Sequence, residues 1–341
     1  MLLRAGTAPV SAEKYRLGFA QGRLRVTGSV MILASGYNFK PGNCCWGLNA
    51  RRDNVWTSED GQTMGRLLCV LLLAAISLIA QGSGARAEPT DVSIPAPRAA
   101  KGDFTGLLFR PNGAGPFPAV VAMHGCGGLW TKSGGLAARE KDWAERFVGA
   151  GYVVLFADSF KARGIRQICS EHERDITPAD RADDAKAAAD WLAAQPYVDK
   201  ARLGLMGWSH GAMSVLAALS PGLLGEPPRY KVAIAMYPGC RKQLQQANWR
   251  PSVPLSLFIG AADDWTQPGP CRELAEREGF RFVAYPGAYH GFDSPNSPVR
   301  VRKNVGSVRS GEAHVGTDPA ARAAAIAEIM ETLAKRLAPT N

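Results

Sequence analysis

No apolar stretch in this 341-residue sequence reaches the length of a membrane span. The longest runs only from Leu67 to Ala80, short of the roughly 20 residues a spanning helix needs. The chain also lacks a dense Lys/Arg block where a folded domain would need one to grip nucleic acid. Its net charge of +10 is uneven: residues 1–87 hold ten Lys/Arg against four Asp/Glu, leaving only +4 on the remainder. A nucleic-acid partner is therefore not expected. The cysteines form no C-x-x-C pair, and the five histidines show no H-E-x-x-H spacing. Neither a metal site nor a cofactor is expected. Internal repeats and low-complexity arrays are absent too, which excludes solenoids and flexible tails as the main architecture.

What is present begins with an amino-terminal address. From Met64 the sequence reads "MGRLLCVLLLAAISLIAQGSGARAEPT". One arginine, a short apolar core and an Ala85-Arg86-Ala87 site have the layout of a secretory signal peptide. Residues 64–87 are thus expected to be removed after Ala87, leaving no stable membrane span. Residues 1–63 carry no sustained period of 2 or 3.6. They are expected to be a mis-assigned upstream extension without packed structure, with translation starting at Met64.

Beyond residue 87 four cysteines remain, Cys126, Cys169, Cys240 and Cys271. An even number in an oxidising compartment points to two disulfides, with three possible connectivities. Localisation is accordingly expected to be periplasmic or secreted.

Residues 88–341 alternate short apolar runs with helical stretches. Strands are expected at 117–124, 152–158, 202–207, 231–238, 254–260 and 280–286. Helices are expected at 135–151, 178–195, 209–220, 271–279 and 319–337. Such alternation implies a single α/β domain, a mostly parallel sheet with helices on both faces.

One short stretch carries chemistry. "RLGLMGWSHGAMSVL" places Ser209 between Gly207 and Gly211, after a strand and before a helix. That is the setting of a nucleophile elbow, whose tight turn admits only small flanking residues. A serine hydroxyl needs a base to take its proton and a carboxylate to orient the base. In such a fold these follow in the order Ser, Asp, His, each after a later strand. "PLSLFIGAADDW" supplies Asp263 and Asp264, of which Asp263 is preferred for its G-x-x-D spacing from Gly260. "FRFVAYPGAYHGF" supplies His290. His314 and His172 lie in polar segments and are read as surface residues. The glycine-rich "MHGCGGLW" loop and the residue after the nucleophile are placed to donate two backbone N–H groups, those of Cys126 and His210, to an oxyanion. His124, Trp208, Asp158 and Arg163 are candidates for the pocket wall, the last two equally for ordering their loop.

Together these residues resemble the dienelactone hydrolase family of α/β-hydrolases. The likeness runs through "HGCGGLW", "FADSFKARG", "GLMGWSHG", "YPGC", "GAADDWT" and "AYHGFD", and covers 103–337. It implies an α/β-hydrolase fold with no large cap domain, Ser209 as nucleophile, Asp263 as acid and His290 as base. It also implies the pairs Cys126–Cys169 and Cys240–Cys271. The family's namesakes carry cysteine in the nucleophile slot and are cytoplasmic. Serine and an export signal here shift the implied activity toward general hydrolysis of small carboxylic esters or lactones through an acyl-enzyme. The other readings are a small serine peptidase and an exported binding protein that kept the scaffold without catalysis. The sequence leaves the oligomeric state open.

Overall fold

Near-continuous apolar runs such as "VVLFAD" and "LSLFIG" have no polar face to offer water, so they must be covered on both sides. A computed structural model describes residues 88–95, 102–221 and 229–339. The expected signal segment and the residues before it lie outside these. The apolar runs form a parallel array of β3 (Phe117–Met123), β4 (Val153–Asp158), β5 (Val198–Trp208), β6 (Tyr230–Met236), β7 (Leu255–Gly260) and β8 (Arg281–Tyr285). Every side chain of β4 and β7 is buried. Two strands outside the sequence reading, β1 (Thr90–Ile94) and β2 (Phe104–Phe109), extend one edge in antiparallel fashion. The eight-stranded order is β1-β2-β4-β3-β5-β6-β7-β8.

The helices are α1 (Ala138–Gly149), α2 (Pro178–Ala193), α3 (His210–Ala218), the single turn α4 (Arg241–Leu244), α5 (Pro268–Glu278) and α6 (Pro319–Arg336). From β3 the chain crosses through α1 to β4 on one side, then through α2 back over β3 to β5 on the other. Because such crossovers are right-handed, the reversal puts α1 and α2 on opposite faces. The Asp142–Arg322 ion pair (2.6 Å) ties α6 to α1, while α3 packs on α2. A crevice opens where the direction reverses, at the carboxyl ends of β3 and β5, and open parallel sheets use that place for their sites. The β3 end leads into "HGCGG" and the β5 end into Ser209.

The start of α2 is fixed by a capping box. The Thr177 hydroxyl accepts from the Asp180 N–H, the Asp180 carboxylate accepts from the Thr177 N–H, and Pro178 occupies the first turn. Each half satisfies a backbone donor that would otherwise be orphaned. One hairpin, β9 (Arg300–Lys303) with β10 (Glu312–Val315), stands apart from the sheet. Beyond it no inserted domain stands over the sheet among the described residues, none of whose helices is long and apolar enough to cross a membrane.

Candidate active site

Ser209 sits where β5 ends and α3 begins, with φ 53° and ψ −116°. This is a backbone conformation that a side-chain-bearing residue adopts only when its surroundings impose it, at a cost of about 1–3 kcal/mol. Both flanking glycines are required by contact. A Cβ on Gly207 would lie 2.5 Å from the Gly211 carbonyl oxygen, and one on Gly211 would lie 2.0 Å from that of Met123. The turn is thus compressed against the end of β3. The Ser209 N–H is anchored to the Met236 carbonyl of β6 at 2.9 Å.

Asp263 and His290 reach the same edge from β7 and β8. Gly260 closes β7, and a Cβ there would meet the Ala288 carbonyl oxygen at 2.1 Å. That close approach draws the loop carrying His290 onto the loop carrying Asp263. His290 Nε2 lies 2.9 Å from Ser209 Oγ, and its Nδ1 lies 2.8 Å from Asp263 Oδ2. The other carboxylate oxygen, Oδ1, accepts from the backbone N–H groups of Trp265 (2.9 Å) and Thr266 (2.8 Å). The Thr266 hydroxyl lies within donating distance of Asp263 Oδ2 (2.9 Å) and of the Tyr237 carbonyl (3.0 Å), and donates its one proton to either. Serine, histidine and aspartate are all buried. Asp264 is turned outward and holds His314 at 2.7 Å. An O–H···N···H–N···O⁻ chain of this kind can move the serine proton onto the ring while the carboxylate steadies the resulting charge.

The "HGCGG" loop lies directly over the serine: a Cβ on Gly125 would come 3.7 Å from Ser209 Cβ. Cys126 is bonded to Cys169, and Cys240 to Cys271, the pairs that the resemblance implied. The first crosslink pins the loop to segment 165–176. A small cluster of Phe160, Ile168 and Ile176 packs around it, and the Ile168 N–H donates to the Cys126 carbonyl. The N–H groups of Cys126 and His210 are given to no acceptor among the described residues.

Two cavities meet at Ser209, and both are bordered by Cys126 and Trp265. The larger, about 540 Å³, has Arg174, Arg241, Lys242 and Arg309 in its wall, with Asp264 as its acid. The smaller, about 330 Å³, includes Trp130, Arg300 and Arg302. Trp265, common to both walls, lies at 4.6 Å from the His290 ring. With four cations against one carboxylate in its wall, the larger cavity is electropositive.

The four pocket candidates do not line either cavity. Trp208 is wholly buried against Trp143 and Phe156, since the strand period turns it into the core. Asp158 accepts from Trp130 Nε1 (2.6 Å) and from the Phe160 and Lys161 N–H groups, which orders its loop. Arg163 forms a two-pronged pair with Asp184 of α2 (2.8 and 2.9 Å). His124 is buried beneath the loop; burial and the nearby Arg181 hold its pKa well below the ordinary histidine value. His210 does border the larger cavity, but its ring Nδ1 is bound to Arg181 at 2.9 Å.

Sequence reasoning did not find Thr266, Trp265, Arg181 or Asp293. Asp293, fully buried, accepts from Trp143 Nε1 and Trp208 Nε1 on one oxygen and from the Tyr237 hydroxyl on the other (2.6–2.9 Å). Tyr237 in turn packs edge-on to His290 at 4.6 Å. The available signal was position: Asp293 follows His290 by three residues, and Thr266 follows Asp263 by three. No group of three or more His, Cys, Asp or Glu is placed to hold a metal ion among the described residues.

Comparison with known proteins identifies the family and the fold. The sequence model of the dienelactone hydrolase family matches residues 104–337. Among solved structures, a dienelactone hydrolase from Anabaena variabilis superposes with a TM-score of 0.50 at 18% identity, covering 74% of this chain and 100% of that one. A hyperthermophilic esterase from the archaeon Pyrobaculum calidifontis gives 0.50 at 16% identity, with 77% of this chain and 88% of that one covered. A dienelactone hydrolase-like promiscuous phosphotriesterase from metagenomic libraries gives 0.50 at 18% identity, with 73% and 98% covered. At these identities the structural likeness speaks for the α/β-hydrolase fold.

Proposed function

This chain belongs to the dienelactone hydrolase family and is an ester-bond hydrolase, and from that premise we propose a serine mechanism acting on small carboxylic esters or lactones. The observation that carries it is the hydrogen-bonded run from Ser209 through His290 to Asp263 at the carboxyl edge of the sheet. Ser209 attacks the acyl carbon while His290 takes its proton, and Asp263 stabilises the imidazolium. The oxyanion is received by the Cys126 and His210 N–H groups, which the protein leaves unspent. The alcohol departs with the proton from His290. Water activated by the same histidine then releases the acid. The two cavities beside Ser209 are of a size for the acyl and alcohol parts of a small ester. Neither the peptidase nor the non-catalytic reading has a specific observation in its favour.

The electropositive wall of the larger cavity favours esters that bear an anionic substituent. The test is a panel of short p-nitrophenyl esters and lactones, neutral and carboxylate-bearing, assayed in low and high salt. Turnover is expected, with a preference for anionic members that shrinks as salt is raised. Absence of turnover across the whole panel would sink the assignment.

We further propose that the catalytic part is residues 88–341 and that residues 64–87 direct export. The two disulfides suit such a compartment. Mass spectrometry of the exported protein is expected to find an amino terminus at Glu88; a mature chain retaining residues before Met64 would contradict it.

A further inference from the structure

Arg181 is fully buried in the opening turns of α2, and the mechanism above makes no use of it. One prong of its guanidinium donates to the His124 carbonyl oxygen at 2.7 Å. The other lies 2.9 Å from Nδ1 of His210. A guanidinium has only donors, so this His210 nitrogen is the unprotonated one. Burial, and then the charge of Arg181, push the His210 pKa down to about 2, which keeps that ring neutral. Arg181 itself stays protonated at neutral pH: burial lowers its pKa only to about 10.

A buried cation ordinarily pairs with a carboxylate. Here the two nearby acids are taken. Asp184 is held by Arg163, and Asp158 by Trp130 and its own loop. Arg181 hydrogen-bonds to no carboxylate among the described residues. Its charge is directed instead at two neutral acceptors, with the ring of Phe160 at 5.1 Å from the guanidinium carbon. Those acceptors belong to the two strand ends that carry the candidate oxyanion donors. His124 stands two residues before Cys126, and His210 supplies the second N–H itself.

We infer that Arg181 is a positioning residue for the oxyanion hole: it fixes the spacing of the Cys126 and His210 N–H groups, and its buried charge favours the oxyanion. A neutral bridge could set the spacing. Only a cation also adds to the field at the place where negative charge develops, in a region screened from water. The inference rests on the serine mechanism proposed above.

The test compares Arg181→Met and Arg181→Lys in the full protein, using p-nitrophenyl butyrate and two ketones. A trifluoromethyl ketone forms a hemiketal oxyanion with the serine, whereas the matching methyl ketone binds without reacting. In Arg181→Met, kcat is expected to fall about 100-fold with KM changed by less than about threefold, as misplaced transition-state donors do. Affinity for the trifluoromethyl ketone should fall in step while that for the methyl ketone holds. Arg181→Lys keeps the charge but not the two-pronged reach, and its loss should be about tenfold. The idea is overturned by an unchanged kcat per titratable site, or by equal losses for both ketones.

Where neither variant folds, the pair His210→Gln and His210→Leu decides. The glutamine oxygen can still accept from Arg181, so its kcat should exceed that of the leucine variant about tenfold. Equal values overturn the inference. Full activity in Ser209→Ala would strike the serine mechanism instead, which separates the two failures.

Discussion

Ser209→Ala is expected to lower kcat for p-nitrophenyl butyrate by a factor on the order of 10⁵, leaving KM within a few-fold of the parent. Alanine removes one oxygen atom and nothing else. The turn keeps its shape, because the compression of Gly207 and Gly211 against the β3 end does not depend on the hydroxyl. Both cavities remain, and so do the unspent N–H groups of Cys126 and His210. Substrate should therefore still bind, and some acceleration over water should persist from the oxyanion donors. What is lost is the covalent step. A fluorophosphonate should phosphonylate the parent at Ser209, fluoride leaving with the serine proton as HF so that the protein gains the reagent's mass less HF, and leave the variant unmodified. The mechanism is falsified if the variant turns over within tenfold of the parent.

Asp293→Ala should act on stability with comparable force. Its carboxylate lies fully buried and receives three side-chain donors, two indole N–H groups on one oxygen and the Tyr237 hydroxyl on the other. Alanine leaves all three without partners in the core. Removing one side of a buried charged network costs about 3–5 kcal/mol, enough to lower the melting temperature by roughly 10 °C in a domain of this size. Asparagine separates charge from shape. Its amide nitrogen must face either the two indoles, donor against donor, or the tyrosine, whose hydroxyl already accepts from Arg139 at 3.2 Å. The expected loss for Asp293→Asn is about half that of alanine. A differential scanning measurement that places Asp293→Ala within about 2 °C of the parent would refute the network's importance. Activity should fall too, since Tyr237 packs on His290.

The parts of this fold that could be read from the sequence are those where chemistry and period coincide. Unbroken apolar runs marked β3, β4 and β7, and two glycines around a serine marked the elbow. Chain order then pointed to Asp263 and His290, because each must follow its own strand. Of the antiparallel edge, β2, "FTGLLF", carried an apolar run that the reading passed over, whereas β1 was not legible: it is mostly exposed, with Ile94 its one buried side chain. The β9–β10 hairpin, "RVRK" against "EAHV", is similarly poor in apolar residues. Side-chain direction was the other blind spot. Position after a strand places a residue at the site's edge, yet Asp158 turns into its own loop, Arg163 toward Asp184 of α2 and Trp208 into the core. Arg181 and Asp293 escaped because their partners lie far along the chain, at His124, Trp143, Trp208 and Tyr237.

The walls of the two cavities come largely from segments outside the eight-stranded sheet. Arg174 lies in the 165–176 segment, and Arg300, Arg302, Ser307 and Arg309 lie in the 297–316 segment. The proposed reacting groups, by contrast, follow the ends of β5, β7 and β8. Inheritance can therefore revise what this scaffold accepts without disturbing how it reacts. On the proposed mechanism, lengthening, shortening or recharging those two peripheral segments would change which ester or lactone fits in small steps, while the sheet holds the reacting atoms still.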